Sequence, residues 1–359
     1  VKFSECPEWV EGEYGYQLED MRVLILGVDG YLGWTLALKL ATRGYDVYGV
    51  DNLIRRSAVS ERGSKSAVPI RRPYKRLQIA NRELGVDIDY RQFDIRDEGK
   101  LRDYLKEVKP ESIVHYAELP SAPYSMVDSE HAQKVQRNNI VGTLGLLHAI
   151  KDIVPESSLL KLGTMGEYGS PLTGRPLFEG TFPADATLKW DDREWSLGGE
   201  LTPRNPPSFY HASKTADTYN VWEACKYWWL RSYDIMQGVI FGVHTDEVAS
   251  HPDLRTRFDV DENFGTVINR FVAQAVSGMP LTVYGAGNQI RGFIGLDDAM
   301  QSMVRLINHP PEPGQYETVN QISGVYRVND LAETVATIAS NDTNLDPTIQ
   351  RIENPRVEA

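Results

Sequence analysis

The chain has little of what marks metalloproteins, nucleic-acid-binding proteins or membrane proteins. Its 359 residues include only two cysteines, Cys6 and Cys225, too few for a disulfide framework or a thiolate metal site, so we expect a reducing compartment and no metal. Lys and Arg number 38 against 50 acidic residues, a formal net charge of -12, which argues against nucleic acid and anionic membranes as partners. The apolar stretch at 140–150, interrupted by His148, is too short to span a bilayer.

Residues 1–20 are acidic and contain no apolar core. Lys2 is their only basic residue, whereas a secretory signal needs a basic start followed by an apolar stretch. We therefore expect an N-terminal extension rather than a signal. The predicted location is the cytoplasm, or the plastid stroma if the source is a plant or alga.

Short apolar runs alternate with helical patterns along the rest of the chain. The predicted strands span 22–26, 46–50, 89–93, 112–116, 159–162 and 235–243, and the predicted helices span 34–40, 135–154 and 210–230. This alternation predicts an α/β fold of Rossmann type, a doubly wound parallel sheet with right-handed crossovers. Ligands collect at the carboxyl edge of such sheets, so we expect the functional side chains there.

A glycine-rich turn follows the first predicted strand. Gly27, Gly30 and Gly33 are spaced three residues apart and open the first predicted helix. Glycines permit a tight turn and close approach of the backbone to a pyrophosphate, and the helix N-terminus supplies free amides for the phosphates. The pattern predicts a dinucleotide site with contacts from Gly27, Gly30, Tyr31 and Leu32.

The second predicted strand leads to Asp51. A carboxylate at this position accepts hydrogen bonds from both ribose hydroxyls and repels a 2′-phosphate, so NAD is favoured over NADP. Arg55 and Arg56 follow closely and are able to accommodate a phosphate, which leaves NADP as an alternative. Asp94 is placed either to hold the adenine or to cap a helix. The further predicted cofactor contacts are Asn52, Arg55, Asp94 and Ile95.

An acid/base set lies further along the chain. Thr164 ends a predicted strand, and Tyr210 and Lys214 are four residues apart, so they share one face of a helix. The ammonium of Lys214 is expected to lower the pKa of the phenol. A phenolate is able to take a proton from a sugar hydroxyl while hydride leaves the same carbon for a nicotinamide. Tyr210 and Lys214 are therefore also expected to contact the cofactor.

These motifs suggest a division of the chain into an extension at 1–20, an NAD-binding Rossmann domain at 21–245 and a mainly substrate-binding lobe at 246–359. A segment rich in proline and glycine joins residues 169 and 209. It is either a loop that closes over substrate or a solvated connector.

Residues 21–359 resemble the extended short-chain dehydrogenase/reductase superfamily, and within it the UDP-sulfoquinovose synthase family. The stretches that carry the resemblance are 50–53, 55–56, 121–126, 162–169, 208–214, 237–243, 245–247, 264–266, 281–285 and 354–359. The resemblance implies bound NAD and a reaction of UDP-glucose with sulfite, or a carrier of sulfite, to give UDP-sulfoquinovose. Whether that product feeds a lipid or a glycan is open.

The resemblance also implies a reaction sequence. Tyr210, with Thr164 and Lys214, takes the proton of the sugar 4-OH while hydride passes to NAD. The 4-ketone acidifies the hydrogen at C5, and water is then lost from C5 and C6. Sulfite adds at C6, and hydride returns to C4.

The set of Thr164, Tyr210 and Lys214 does not identify the group that transfers the proton at C5. Related 4,6-dehydratases follow their threonine with Asp-Glu, whereas this chain has Met165 and Gly166. Glu167 and His211 are the candidates, with a slight preference for His211 because imidazole titrates near neutrality. The alternative for Glu167 is a structural carboxylate, and for His211 it is a helix-surface residue pointing away from Tyr210.

The resemblance implies a UDP-sugar site as well. Arg291 is expected to bind the pyrophosphate, because a planar guanidinium suits bidentate contacts. Leu119 and Pro120 stand where related enzymes have Gln-Arg, and Met236 replaces a common Asn, so the sulfur donor stays open. The predicted substrate contacts are Ser121, Tyr124, Thr164, Gln237, Thr266 and Arg291.

Two other functions remain open. One is another NAD-dependent nucleotide-sugar epimerase or 4,6-dehydratase with the same acid/base set, and the other is a noncatalytic protein that keeps NAD as a ligand. The superfamily usually forms homodimers through two long helices. The helices near Val135 and Ala216 are the candidates here.

Overall fold

The computed structural model describes residues 21–169, 178–343 and 345–354. The predicted extension at 1–20, Cys6, residues 170–177 of the proline-rich segment and the end of the chain from 355 lie outside the described residues. The strands are β1 (Arg22–Leu26), β2 (Asp46–Asp51), β3 (Ile88–Gln92), β4 (Ser112–His115), β5 (Ser158–Thr164), β6 (Thr187–Trp190), β7 (Arg193–Ser196), β8 (Arg231–Gln237), β9 (Val239–Phe241), β10 (Leu281–Tyr284), β11 (Ile290–Gly295), β12 (Tyr316–Gln321), β13 (Gly324–Arg327) and β14 (Ile349–Ile352).

Helices follow most of these strands. They are α1 (Tyr31–Ala41), α2 (Ile54–Glu61), α3 (Pro73–Leu84), α4 (Glu98–Val108), α5 (Ala122–Ser125), α6 (Ser129–Gln136), α7 (Gly142–Ile153), α8 (Phe209–Trp228), α9 (Asp246–Ala249), α10 (Val267–Val276), α11 (Leu296–Asn308) and α12 (Val328–Thr343). A π-helical turn, Arg137–Val141, joins α6 to α7, so the predicted helix at 135–154 is one long element with an irregular centre.

The central sheet has seven strands in the order β12-β8-β5-β4-β1-β2-β3, all paired in parallel. β1 is buried from Val23 to Leu26, as expected for a strand covered by helices on both faces. The order reverses at β1, which pairs with β4 on one side and β2 on the other. The doubly wound Rossmann prediction is confirmed, and the ligand crevice lies at this reversal.

Two apolar cores cover the faces of the sheet. One packs α1, α3 and α11 against β1, with Trp34, Ile79 and Met303 among its buried members. The other packs α4, α7 and α8 on the opposite face, with Leu105 and Val221 buried. Helices on both faces hold the carboxyl ends of the strands in fixed positions.

A smaller lobe stands over those strand ends. β11 pairs with β9 and β13, and β10 pairs with β14 beside α10 and α12. The two parts of the structure are not separated by one boundary at residue 245, as the predicted division has it, because the chain passes between them more than once. β9 already belongs to the lobe sheet, while β12 returns to the edge of the central sheet. The predicted strand at 235–243 is accordingly two strands in two sheets.

Part of the proline-rich segment forms a hairpin. β6 pairs with β7 in antiparallel register, and both strands are exposed along their length. Gly180 packs so closely on Thr318 that an added Cβ would lie 2.2 Å from its Oγ1. Closure over substrate stays a prediction.

Candidate functional site

The turn after β1 is shaped for a phosphate ligand. Gly27 has a φ of +89°, and a Cβ there would lie 2.6 Å from the carbonyl oxygen of Tyr116. A Cβ on Gly33 would lie 2.2 Å from the carbonyl oxygen of Gly27. Gly30 is the N-cap of α1 and offers no side-chain cap, so the first amides of the helix are available to an anion. These residues fit a dinucleotide pyrophosphate.

Tyr31 and Leu32 contribute to this turn through their backbone. The Tyr31 hydroxyl donates to the carbonyl oxygen of Gly242, and Leu32 packs against the core. Their side chains therefore support the fold, and only their amides in the first turn of α1 remain as predicted cofactor contacts.

Asp51 ends β2 beside the same turn. Its carboxylate accepts from the amide of Asp29 at 2.8 Å and from that of Leu53 at 2.7 Å. Burial, together with the charge of Asp29, raises the pKa of Asp51 to about 6. This carboxylate is therefore held at the strand end, where a ribose is expected.

The two arginines after Asp51 are already paired. Arg56 donates to Asp29 at 2.6 and 2.8 Å. Arg55 donates to Asp259 at 2.9 Å and lies 3.9 Å from the centre of the Phe264 ring. Arg55 thus faces Asp259 and Phe264, while its Nη1 has no hydrogen-bond partner among the described residues. Its predicted contact with the cofactor stays a prediction. Both arginines already pair with carboxylates of the protein, which favours NAD over NADP.

Asp94 and Ile95, the residues predicted to lie at the adenine, already have partners within the protein. Asp94 accepts from Asn52 at 3.0 Å and from Arg96, and the Arg96 contact lowers its pKa to about 2. The helix-cap alternative for Asp94 is wrong, since Asp97 caps α4. Ile95 is buried in the core. Asn52 and Asp94 form one polar edge beside Asp51.

We expect Asp51→Asn to weaken NAD binding about 10-fold or more, because a charged acceptor contributes about 1.5 to 3 kcal/mol. In the parent, NAD affinity should fall as the pH drops through about 6, where Asp51 becomes protonated. The folded-state pKa lies above the ordinary value of 3.8, so ionisation destabilises the fold and the variant should unfold no more easily. Calorimetry across pH, with Asp46→Asn from the other end of β2 as control, measures this. Equal NAD affinity in both variants would contradict the assignment.

Tyr210 and Lys214 lie on α8 as predicted, but their electrostatics differ from the prediction. Lys214 is buried, and its ammonium donates to Glu118. Burial, followed by the charge of Glu118, raises the pKa of Tyr210. The prediction of a lowered Tyr210 pKa is wrong for the described residues, because burial first and the charge of Glu118 next raise it.

Thr164 closes β5 and starts a tight turn. Its Oγ1 accepts from the amide of Gly166 at 3.2 Å, and its own amide donates to Glu167 at 3.2 Å. The other Glu167 oxygen accepts from Thr218 at 2.9 Å, and Lys161 lies 3.6 Å away. Burial raises the pKa of Glu167. The geometry favours the structural interpretation of Glu167.

His211 packs on the same turn. A Cβ on Gly166 would lie 2.2 Å from His211 Nε2, so glycine makes room for this ring. The Nδ1 lies 2.8 Å from Ser208 Oγ, and the Tyr210 and His211 ring centres are 5.0 Å apart. His211 thus does not point away from the acid/base set. Its expected titration near neutrality is wrong, because burial, with the charge of Arg291, lowers its pKa to about 4.

The lobe brings Arg291 to this turn. A Cβ on Gly292 would lie 3.3 Å from Met165 Sδ, so β11 passes directly over the segment after Thr164. Arg291 is exposed, donates only to the carbonyl oxygen of Ile290 at 2.9 Å among the described hydrogen bonds, and its charge acts on His211. It is therefore available to an anionic ligand at the crevice.

The other predicted substrate contacts have partners within the protein. Tyr124 is fully buried, with its hydroxyl between Glu61 at 3.0 Å and Lys134 at 2.8 Å, and its predicted contact with substrate stays a prediction. Ser121 caps α5 and donates to the carbonyl oxygen of Asn263. The remaining two, Gln237 beside Thr164 and Thr266 at the start of α10, are half-buried at the crevice edge.

Sequence analysis missed the polar residues that support this site. The π turn places Asn139 between Leu119 and Ser213. Asn139 accepts a hydrogen bond from the backbone amide of Leu119 at 2.9 Å and donates one to the Ser213 hydroxyl at 3.0 Å. π turns are rare and often mark functional sites. Lys161 and Asp234 form a buried pair at 3.1 Å. Lys161 and Asp234 each interrupt an otherwise apolar strand. A charged residue in such a strand is the signal in the sequence that indicates a buried ion pair.

Within 21–169, 178–343 and 345–354, no helix is long and apolar enough to cross a membrane. The same residues contain no cluster of His, Cys, Asp and Glu suited to a metal ion. The predicted compartment stays a prediction.

Comparison with known proteins places these features in a family context. Residues 23–320 match the NAD dependent epimerase/dehydratase family. The UDP-sulfoquinovose synthase of Sulfolobus acidocaldarius is 43% identical over 339 residues, which cover 94% of this chain and 84% of that protein. The chloroplastic UDP-sulfoquinovose synthase of Spinacia oleracea is 41% identical, with 94% and 68% covered.

Solved structures agree on the fold. A UDP-glucose 4-epimerase from Bifidobacterium longum, in complex with NAD+ and UDP, superposes with a TM-score of 0.67 over 94% of this chain and 87% of that one, at 18% identity. A UDP-glucuronic acid 4-epimerase from Bacillus cereus, in complex with UDP-glucuronic acid and NAD, gives 0.65 over 94% and 87% at the same identity. At this identity the likeness establishes the fold alone.

Proposed function

Because the chain belongs to the NAD dependent epimerase/dehydratase family and, within it, to the UDP-sulfoquinovose synthases, we propose that it converts UDP-glucose and sulfite into UDP-sulfoquinovose. The observation that carries this proposal is 43% identity over 84% of the archaeal relative, together with Thr164, Tyr210 and His211 around one turn. NAD is the family's cofactor, and the glycine turn with Asp51 would hold it. The chemistry that bound NAD would supply there is the reversible transfer of the hydride of C4.

The chain's own residues handle the protons. Tyr210 accepts the proton of the sugar 4-OH, and Thr164 at the end of β5 orients that hydroxyl. The raised pKa of Tyr210 favours the protonated phenol in the ligand-free protein. The phenol must therefore first release its own proton to solvent, which the positive charge of a bound nicotinamide would favour, before the phenolate accepts the proton of the 4-OH. Arg291 over the same turn would neutralise an anionic part of the substrate, the pyrophosphate or an incoming sulfite.

His211 is our candidate for the C5 proton. Its pKa of about 4 leaves the imidazole neutral at physiological pH, and a proton donated from Nδ1 to Ser208 would leave the Nε2 lone pair free toward Gly166. A weak base suffices because the 4-ketone acidifies C5. Glu167 is the weaker candidate, since both of its oxygens accept from protein groups.

We expect His211→Asn to stop exchange of the C5 hydrogen with deuterated water, while C4 oxidation by Tyr210 continues. NMR of UDP-glucose recovered without sulfite measures the exchange, and cofactor absorbance measures the oxidation. Gly166→Ala should slow exchange too, because the added methyl displaces the imidazole. Glu167→Gln is the control and should retain exchange. Parent-rate exchange in the His211 variant would remove it as the base, and loss only in the Glu167 variant would reverse the assignment.

The alternative of an epimerase or 4,6-dehydratase is not favoured by any particular residue. Met165 and Gly166 replace the acid/base pair of dehydratases. The test of the sulfur chemistry is whether labelled sulfite enters a nucleotide sugar.

The homodimer is also a proposal, with a second copy of the chain as partner. α6, the π turn, α7 and α8 pack together, and their outer face leaves apolar side chains exposed: Val141 by 55%, Leu144 by 42% and Tyr219 by 42%. Pairing this face with its copy would bury them, as expected for a symmetric interface.

We expect Leu144→Arg to convert dimer to monomer, because pairing of the two copies would then bury an uncompensated charge. Sedimentation at matched concentrations measures the mass. Leu188→Arg on the β6 hairpin is the control, since Leu188 is 49% exposed and lies away from these helices. A parent that is monomeric, or a Leu144 variant that stays dimeric, would contradict the assigned face.

A further inference from the structure

Glu118 lies just beyond the carboxyl end of β4, in the crevice beside Lys214. It is 8% exposed, one oxygen accepts from the Lys214 ammonium, and the other has no hydrogen-bond partner in the described structure. That free oxygen lies 3.8 Å from His115 Nε2. Burying an ion pair with one oxygen unsatisfied contributes little stability, because desolvation offsets the attraction. A role at the acid/base pair explains its position better.

The surrounding structure fixes this position. Asn139 in the π turn accepts from the amide of Leu119 at 2.9 Å and donates to Ser213 at 3.0 Å. Ser213 in turn donates to the carbonyl oxygen of Tyr210 at 2.7 Å. These hydrogen bonds connect the backbone next to Glu118 with the helical turn that carries Tyr210 and Lys214. They therefore fix the position of the Glu118 carboxylate relative to Tyr210 and Lys214.

We propose that Glu118 is a positioning residue for the reaction, whose carboxylate holds the Lys214 ammonium in place on the helix face that it shares with Tyr210 and places a negative charge beside that pair. This inference rests on the proposed function only in taking Tyr210 as the base. Glu118 touches Lys214 rather than the reacting atoms, so it acts through that pair.

The charges around the phenol support this role. Burial is the largest cause that raises the pKa of Tyr210, and the charge of Glu118 is the next. His115 does not cancel that charge, because burial lowers its pKa to about 4 and leaves it neutral. The other ionisable groups that face the phenol or Glu118 are Glu167, Arg55, Asp217, Lys214 and Lys161.

The sign of the effect follows from this arrangement. Glu118→Gln keeps the shape but removes the negative charge, so the phenolate becomes easier to form. The ascending limb of the pH profile of kcat should move to lower pH by about one unit or more, the size that a neighbouring charge exerts. Glu118→Asp restores the charge and should return the limb toward its parental position. KM for UDP-glucose should stay unchanged.

The experiment compares pH profiles of kcat and KM for these two variants with Glu111→Gln. Glu111 is the matched control, because it precedes β4 and pairs with Arg22 at the opposite edge of the sheet. Absorbance titration of the phenol in the intact protein, corrected with Tyr210→Phe, supplies a readout that needs no turnover. The inference would be overturned if, in Glu118→Gln, both the ascending limb of the kcat profile and the absorbance titration of the phenol stayed at the parental pH. It would also be overturned if Glu118→Asp shifted them as far as Glu118→Gln does.

Failure of the proposed function gives a different pattern. If UDP-glucose and sulfite give no UDP-sulfoquinovose but the phenol titration moves in Glu118→Gln alone, the inference holds and the substrate assignment fails. If product forms and the titration does not move, the substrate assignment holds and the inference fails.

Discussion

Tyr210→Phe should lower turnover by about 10²-fold or more while leaving the fold and bound NAD intact. The change removes only the hydroxyl that accepts the proton of the sugar 4-OH, and loss of a general base has this magnitude. The ring packs against an apolar cluster that includes Leu119, Tyr124 and Phe264, and phenylalanine preserves that packing. Steady-state turnover of UDP-glucose with sulfite, with NAD content measured after extraction, checks both parts.

Tyr227→Phe is the matched control. It lies near the end of the same helix and is 66% exposed, so it should turn over at the parental rate. Near-parental activity in the Tyr210 variant would overturn its assignment as the base. Loss of NAD together with activity would point instead to a role in holding the cofactor.

Lys161→Met should destabilise the fold by about 3 to 5 kcal/mol, the range for removing one partner of a buried ion pair. Lys161 is fully buried and donates to Asp234 at 3.1 Å, Thr218 at 2.9 Å and the carbonyl oxygen of Lys214 at 3.2 Å. Methionine fills the space but leaves the carboxylate of Asp234 without its cation. Denaturant unfolding followed by far-UV circular dichroism measures the loss.

The control is Lys189→Met on the exposed hairpin, where Lys189 pairs with Glu194 at 3.4 Å. An exposed pair contributes about 1 kcal/mol or less. Combining Lys161→Met with Asp234→Asn should recover part of the stability, because the uncompensated charge is removed. Equal losses for Lys161→Met and Lys189→Met would contradict the buried network.

The sequence predicted the frame of the molecule well because the signals of the frame are local. The apolar run at 22–26 coincides with β1, Arg22–Leu26, since a strand buried on both faces must be apolar throughout. The four-residue spacing of Tyr210 and Lys214 placed both on α8. Strand ends at one edge then brought Asp51 and Thr164 to one crevice.

The electrostatics of the site depend on pairings that local patterns do not contain. Glu118 is 96 residues from Lys214, and the sheet order that joins them is a tertiary property. The same rule that selected Asp51 and Thr164, a polar residue at the end of an apolar strand, applies to Glu118. The sequence alone relates Lys214 to its helical neighbour Tyr210, because a spacing of four residues is visible locally and a contact across 96 residues is not.

Residue roles inside the crevice were the least predictable. Tyr124 and Glu167 lie in two of the stretches that carry the family resemblance, 121–126 and 162–169. Their polar atoms nevertheless form hydrogen bonds within the protein. Gly166 gave no chemical signal in the sequence, although its missing Cβ makes the space for His211. A glycine's function here depends on what packs against it, which only the folded chain reveals.

The most direct test of the proposed function is the product formed from UDP-glucose, labelled sulfite and the NAD-loaded protein. Anion-exchange chromatography should show the label in a nucleotide sugar more acidic than UDP-glucose, formed by the parent and the Tyr227→Phe control but not by Tyr210→Phe. An unlabelled product from the active parent, either an epimer of UDP-glucose or a 4-keto-6-deoxy sugar, would contradict the account.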